Sequence, residues 1–400
     1  MTPQVLVVGG GMITVDQILP SLYHMQRQGV IGTIAVCAQH ARTVQKLKDT
    51  TIFATAFPGQ SFDAYPESGD SPQPDLYKEV IAKMARHNIV IAAVPDQLHF
   101  DVVMTALQHD QHVCCVKPLV LTARESVVIE AEARKRGLVV GVEYHKRLDD
   151  RSLMARQKYR QGLFGEFRLG TATLMEKWNY RESNFQNWCT TEHSDTFSYI
   201  GCHYVDLVHF ITGLLPASVS VYGIKDKYPN GNEGYLWTDA RVIWQNGACL
   251  NVQNSLSFPD SAPGTNTQGI VMHCSGNNAG GLIEHSDQYR GLQYSYVNPA
   301  QYAEPSPDYF QYVDLGGEGL QPVGYGYRSI EFILKKCIAA ESAADRQAFL
   351  ASLDAEGILA TPANSRYNEL VMEAGRLSIL NNAREVLIDY GPTPGVRFRT

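Results

Sequence analysis

Val5-Leu6-Val7-Val8-Gly9-Gly10-Gly11-Met12-Ile13-Thr14 is the stretch that decides the fold. Four consecutive apolar residues form a short buried strand. Three glycines then open a segment in which Ile18, Leu19, Leu22 and Met25 recur at helical spacing. A strand, a glycine-rich turn and a helix with G-x-G-x-x-G spacing make a phosphate loop, with Thr14 in the third glycine's place. Gly9 serves the tight turn and Gly11 the approach of a pyrophosphate. Met12 and Ile13 open a helix whose N–H groups and dipole attract anions. Pro20 falls inside that helix and is expected to kink it.

Outward from the loop, apolar runs alternate with helical stretches. Strands are expected at Ile34–Cys37, Ile89–Val94, His112–Val116 and Leu138–Val142. Helices are expected at Leu76–His87, Phe100–Gln108 and Ala123–Arg136, the last closed by Gly137. This is the pattern of a parallel sheet covered on both faces, a Rossmann-type domain over residues 1–145. One more helix follows at Asp149–Gly162, and then the period falls to two. Leu250, Val252, Leu256 and Phe258 alternate with Asn251, Gln253, Ser255 and Ser257, and Val219–Val221, Ala240–Trp244 and Gly269–His273 are similar. Residues 146–400 are therefore expected to form an α+β domain with a large, mostly antiparallel open sheet whose second face is wet or covered by a partner. Helices at Glu331–Ala340 and Asn368–Ala383 are free to pack back on the first domain. Loops are expected at Phe57–Pro74, Phe258–Gln268 and Asn298–Asp308.

The second strand ends Val36-Cys37-Ala38-Gln39, with no acid to bind a ribose 2′-hydroxyl. Ala38 in that place, with His40 and Arg42 nearby to meet a 2′-phosphate, favours NADP over NAD. The 400 residues suit two domains, and 44% hydrophobic with 19% charged residues excludes a disordered chain. The net charge of −7, without a basic run, argues against nucleic acid and anionic membrane surfaces. No apolar run reaches a membrane span, no basic n-region precedes Val5, and the eight cysteines include no C-x-x-C pair. A cytoplasmic protein with reduced core thiols is expected. The His and Asp residues form no convincing metal-ligand set.

Four further segments, in order, resemble the Gfo/Idh/MocA oxidoreductases. Val94-Pro95-Asp96-Gln97-Leu98-His99 resembles T-P-N-x-x-H, and Cys115-Val116-Lys117-Pro118-Leu119 resembles E-K-P-L. Gly141-Val142-Glu143-Tyr144-His145-Lys146-Arg147 is similar to G-x-x-Y-N-x-R-F. Gly201-Cys202-His203-Tyr204-Val205-Asp206-Leu207 is similar to G-V-H-x-x-D-L. The resemblance spans roughly residues 5–215, with a family-like tail over Gly324–Ile388. It implies cofactor contacts from Val94, Pro95, His99, Lys117 and Pro118, and substrate contacts from Lys117, Tyr144, His145 and His203. It also implies a homodimer or homotetramer joined through the second-domain sheet.

On that resemblance Lys117 sits beside the nicotinamide and polarises the reacting oxygen, and Pro118 fixes its loop through a cis bond. His203 is the base of a D-x-x-x-H pattern in which Tyr199 replaces the acid, and Asp206 is placed to take part of that role. Val116 replaces the acid that precedes Lys117. Between Glu176 and His193, Trp178 and Trp188 with polar neighbours suit a carbohydrate-like substrate. The leading expectation is hydride transfer between a sugar, polyol or sugar-acid hydroxyl carbon and NAD or NADP. Two alternatives share the fold: a glycosidase that oxidises transiently and eliminates, and a dinucleotide-binding sensor without turnover.

Overall fold

Val5–Val8 is wholly buried because it has neighbours on both sides and helices on both faces. In the computed structural model, which describes residues 2–262, 264–276, 279–286, 294–297, 300–303 and 308–400, this strand is β1. The sheet continues with β2 (Ile34–Cys37), β3 (Asp63–Tyr65), β4 (Ile89–Ala92), β5 (His112–Val116) and β6 (Val140–Glu143). Their order is β3-β2-β1-β4-β5-β6 and every pairing is parallel. The order reverses between β1 and β4, which opens the ligand crevice of doubly wound sheets at their carboxyl ends.

Pro20 does not kink a continuous α-helix. The segment starts as a π turn over Thr14–Ile18, and Pro20 stands at the start of the α-helix Leu19–Arg27. The missing N–H falls where the hydrogen-bond register changes anyway, so the proline is accommodated without a break. Three helices, Ala41–Lys48, Thr51–Ala56 and Arg346–Glu356, and strand β3 within the expected loop Phe57–Pro74, escape the sequence reading.

The chain divides into two compact units. One comprises Met1–Val120, Glu125–Leu148 and Tyr309–Asn364; the other comprises Leu121–Arg124, Asp149–Asp308 and Ser365–Thr400. The N-terminal part of the first unit runs to Leu148, and residues 309–364 return to it. The helix Tyr325–Ser342 explains this, since Ile330, Ile333, Leu334 and Cys337 enter the same core as Val5, Ile34 and Ile91.

The second unit is built on β7 (Glu166–Lys177), β8 (Pro216–Lys227), β9 (Glu233–Trp244), β10 (Cys249–Phe258), β11 (Asn266–Gly276) and β12 (Ala279–Ser286). The order is β12-β11-β7-β10-β9-β8, extended by Val386–Asp389 and Gly395–Phe398. All pairs are antiparallel except β10 with β7. Leu250, Val252 and Leu256 are fully buried, so the alternation read in the sequence sets the covered face. The loop expected at Phe258–Gln268 already gives way to β11 at Asn266. Of the loop expected at Asn298–Asp308, Ala300–Ala303 is a strand, and 298–299 and 304–307 lie outside the described residues. No described helix is long and apolar enough to cross a membrane. All eight cysteines are free, and only Cys249 is not fully buried.

Asp149 anchors the start of the second unit. Its carboxylate caps the helix Asp150–Arg160 through the Arg151 N–H (3.0 Å), accepts from the Arg151 guanidinium and lies 2.9 Å from His285 Nε2. Burial opposes its ionisation, but His285 and Arg151 outweigh burial and hold the carboxyl well below the usual range. A depressed carboxyl contributes stability above its unfolded-state pKa and loses it as pH falls towards the folded value. Asp149→Ala should therefore cost about 3 kcal/mol in urea unfolding at neutral pH, and the difference from wild type should shrink progressively below about pH 4.

Candidate functional site

The phosphate loop is held tightly at one glycine and left open at another. Gly9 has φ +116°, and a Cβ there would lie 2.0 Å from the Ala93 carbonyl oxygen at the end of β4. Its N–H donates to the Cys37 carbonyl at 2.8 Å, which ties the turn to β2. Around Gly11, by contrast, a Cβ would meet nothing within 4 Å. Met12 is exposed and Ile13 half-buried as the helix opens. Thr14 is fully buried and its hydroxyl donates to the Gly9 carbonyl at 2.9 Å, so it closes the turn where a third glycine is usual. This cradle fits a dinucleotide pyrophosphate: backbone close to an open space, at the start of a helix.

His40 and Arg42 flank the start of the helix Ala41–Lys48. That helix reaches the loop through Thr43, whose Cγ2 would stand 2.6 Å from a Cβ on Gly10. Ala38 is buried between them, so no acidic side chain occupies the end of β2.

Behind the ends of β4 and β5, His99 is completely buried. Its Nδ1 lies 2.8 Å from the Pro118 carbonyl and its Nε2 2.8 Å from the Val94 carbonyl. Two acceptors at opposite ring nitrogens suit only the imidazolium, which donates from both. Burial works against the charged ring; Cys115, Asp96 and the Pro118 carbonyl outweigh it and push the pKa up to about 10. His99 thus clamps the Val94-Pro95 turn to the Lys117-Pro118 turn, whose peptide bond is cis. Lys117 itself is half-buried at the carboxyl end of β5.

At the neighbouring end of β6, Tyr144 is buried while His145 keeps an exposed edge. The sequence reading passed over the groups around them. Glu143 is 2% exposed and accepts from Gln17 Nε2 (2.8 Å), from the Ser329 hydroxyl and from His145 Nδ1 (3.3 Å). Gln17 also accepts from the Tyr309 hydroxyl at 2.6 Å. An acid directly after the apolar run Val139-Val140-Gly141-Val142 was the available signal, since a buried carboxylate needs partners.

In the second unit, His203 is 5% exposed on the helix Cys202–Thr212, which follows a π turn over Phe197–Gly201. Asp206 is buried and accepts from the Tyr367 hydroxyl at 2.6 Å. Tyr199 stands edge-on to Phe185 (4.6 Å) and Trp188 (5.5 Å) in an aromatic cluster that also buries Trp188. Trp178 is 46% exposed, and its other face lies on the Arg181 guanidinium at 3.7 Å. Arg181 is itself buried, also faces Trp237, and pairs with Asp226 at 2.8 Å. Asp195, absent from the sequence reading, caps the π turn by accepting from the Ser198 N–H (2.8 Å) and hydroxyl (3.1 Å), and burial pushes its carboxyl up. Asp followed three residues later by Ser was its signal.

One cluster has metal-like spacing among the described residues: His87, His112 and Glu341. The His112 Nδ1 accepts the Val139 N–H at 3.0 Å, so its proton stays on Nε2, which donates to Glu341 at 2.8 Å. That tautomer has no lone pair for an ion, and the Arg346 guanidinium already neutralises Glu341.

The family description "Oxidoreductase family, NAD-binding Rossmann fold", Gfo/Idh/MocA, matches residues 4–144. D-glucoside 3-dehydrogenase from Escherichia coli is 23% identical over 54% of this chain and 56% of its own length. An inositol 2-dehydrogenase/D-chiro-inositol 3-dehydrogenase from Shouchella clausii is 28% identical over 46% of this chain and 52% of its own. The chain thus spans about half the length of these curated relatives. The structure of scyllo-inositol dehydrogenase from Lactobacillus casei with NAD(H) and scyllo-inositol superposes with a TM-score of 0.64 at 14% identity, covering 97% of this chain and 99% of that one. Residues 4–144 thus match the Gfo/Idh/MocA oxidoreductase family, NAD-binding Rossmann fold, and the Rossmann order with a second, mostly antiparallel sheet is a fold shared with that dehydrogenase structure.

Proposed function

We propose that the protein is an NAD(P)-dependent dehydrogenase that oxidises a hydroxyl carbon of a sugar, polyol or sugar-acid in the cytoplasm. The observation that carries this reading is the cradle, with Gly9 pressed on Ala93 and Gly11 facing open space, in a stretch, residues 4–144, that matches an NAD-binding oxidoreductase family. The dinucleotide supplies a hydride acceptor when bound. Gly9, Gly11, Met12, Ile13 and Thr14 hold its pyrophosphate, with Val94, Pro95 and Pro118 along the crevice and His99 behind them. Lys117 polarises the substrate oxygen, and His203 takes up a proton. Asp206 and Tyr199 orient the helix and cluster around His203, and Tyr144 packs beneath His145. The named activities of the relatives, on inositols and a glucoside, support a polyhydroxylated substrate. So does Trp178, whose exposed face is a platform for sugar C–H groups and whose stacking on buried Arg181 keeps it in place. Trp188 supports that region from within.

Two variants separate binding from chemistry. Gly11→Ala meets no protein atom, so it should fold normally, yet weaken NAD+ and NADP+ binding by about tenfold or more in calorimetry. Lys117→Ala should bind both dinucleotides as wild type does and lose about 100- to 10,000-fold in turnover on a sugar and polyol panel followed by absorbance. Full dinucleotide binding with no turnover by the wild type would favour the sensor reading. Aryl-glycoside cleavage without net NADH would favour the glycosidase.

NADP is the favoured cofactor, from buried Ala38 with His40 and Arg42 at the helix that touches the phosphate loop. Arg42→Ala should weaken NADPH by about tenfold and leave NADH within twofold, measured by fluorescence titration of the reduced dinucleotides. If both weaken equally, Arg42 does not read the 2′-phosphate.

The outer face of the second sheet supports a homodimer or homotetramer. Leu169, His273 and Leu282 lie in one cross-strand row, and Leu169 and Leu282 are 52% and 53% exposed. Tyr222 and Ile224 are exposed on β8. Leu169→Glu should shift sedimentation velocity towards the monomer, since a charge in an apolar interface core costs several kcal/mol.

A further inference from the structure

The histidine that takes up the proton in the proposed function stands just after a π turn. A π turn closes from i to i+5, so it holds one residue more than an α turn. That extra residue rotates everything after it by about 100° relative to an unbroken α-helix. The π turn over Phe197–Gly201 therefore decides which way His203 faces on the helix Cys202–Thr212. Such turns are rare, and this one is held from outside.

The hold comes from one face of the helix Pro362–Ile379. From Ser365 onward that helix belongs to the second unit, as does all of 149–308. Tyr367 and Asn368 lie two turns before Gly375 and Arg376, so the four share a face. They meet the His203 segment in reverse order, as antiparallel neighbours do. Arg376 Nη2 donates to the Thr191 carbonyl, and its Nη1 lies 3.9 Å from Asp195, the residue that caps the π turn. A Cβ on Gly375 would lie 2.7 Å from the Phe197 ring and one on Gly201 2.6 Å from it, so these two glycines leave the slot that the buried ring fills. Asn368 is fully buried and donates from Nδ2 to the Cys202 carbonyl at 3.0 Å. That carbonyl belongs to the peptide bond leading into His203. One turn further on, the Tyr367 hydroxyl donates to Asp206 at 2.6 Å, and the Tyr367 ring lies 3.9 Å from that of His209.

The π turn is thus gripped on both sides. Arg376 and Gly375 hold its entry and its body, and Asn368 and Tyr367 hold the α-helical turns that follow. We infer that Asn368 and Tyr367 are positioning residues for His203, fixing the turn on which it stands so that its ring is aimed at the substrate hydroxyl. This inference rests on the role proposed above for His203. A catalytic group displaced by about 1 Å can lose about 100-fold in rate, so neither residue has to touch substrate or dinucleotide to matter. Asn368 is the stronger determinant, because its donor ends on the backbone next to His203, whereas Tyr367 acts one turn away.

The test compares Asn368→Ala and Tyr367→Phe with Ser378→Ala. Ser378 is a buried residue of the same helix whose hydroxyl accepts the Val221 N–H at 2.9 Å, on β8 rather than on the His203 segment. Each variant removes one buried hydrogen bond, so urea unfolding should register a similar loss of stability in all three. In steady-state oxidation of a sugar or polyol, Asn368→Ala should lower kcat about 10- to 100-fold and Tyr367→Phe about fivefold, with NAD+ and NADP+ bound within about twofold of wild type, while Ser378→Ala keeps kcat within about twofold. Without turnover, ¹H–¹³C spectra of ¹³C-histidine protein, with His203 assigned by the loss of its ring signal in His203→Gln, should show that signal moved in Asn368→Ala and Tyr367→Phe and unmoved in Ser378→Ala. If Asn368→Ala does not fold, Tyr367→Phe carries both arms. Wild-type kcat in both variants overturns the inference whatever the spectra show. An equal loss of kcat in Ser378→Ala also overturns it, because the effect is then one of stability alone. An inactive His203→Ala beside a fully active Asn368→Ala sinks this inference and leaves the dehydrogenase intact. Undiminished kcat in His203→Ala removes the role of His203 and this inference with it. No alcohol oxidation by the wild type sinks both readings.

Discussion

Gly9 passes so close to the end of β4 that a methyl group on its α-carbon would lie 2.0 Å from the Ala93 carbonyl oxygen. No side chain fits there, and φ +116° is open only to glycine at low cost. The turn is consequently locked between β2, through the Cys37 carbonyl, and β4. Because β1 lies between those two strands, the lock sits at the point where strand order reverses. The crevice, the helix start and the open space at Gly11 all take their positions from this one contact.

The same end of the sheet is rigidified from below by polar groups rather than by more apolar packing. His99 bridges the turns after β4 and β5, and Gln17 and Glu143 join the phosphate-loop helix to β6 and to the helix Tyr325–Ser342. Each buried donor in these networks has an acceptor at hydrogen-bond distance, which offsets the cost of removing it from water. The imidazolium of His99 also matters to an acidic chain. With a net charge of −7 the overall field repels phosphates, so fixed local donors and a buried cation near the crevice have to provide the attraction.

Continuous apolar strands and a glycine loop have strong local signatures, and β1, β2 and β5 stand where the sequence puts them. β7 has the same kind of alternation at Phe167, Ala172 and Leu174, but exposed Leu169 and a buried glycine, Gly170, blur its period. That the helix at Glu331–Ala340 could pack back on the first domain was an open option in the sequence; that it does so while 365–400 stay with the second unit is not legible, because a helix's apolar stripe does not say which core it enters. For the site, Gly9, Gly11, Thr14 and Lys117 were legible as motif positions. The burial of Tyr144, Trp188 and His99 was not, since an aromatic or imidazole ring suits either a pocket or a core. Asp195 and Gln17 act through partners far away in sequence, Arg376 and Tyr309, that no local pattern announces.

The replacement of an acid by Val116 acquires a reason once the register is known. Val116 and Glu143 are neighbours on parallel strands about 5 Å apart, with side chains on one face. Two carboxylates at that level, both out of water, could not both ionise, because like charges so close raise at least one pKa strongly. With Glu143 committed to Gln17, Ser329 and His145, an apolar residue at 116 is the compatible choice. Val116 thus leaves Glu143 as the one acid on β5 and β6, and its partners Gln17, Ser329 and His145 serve that carboxylate alone.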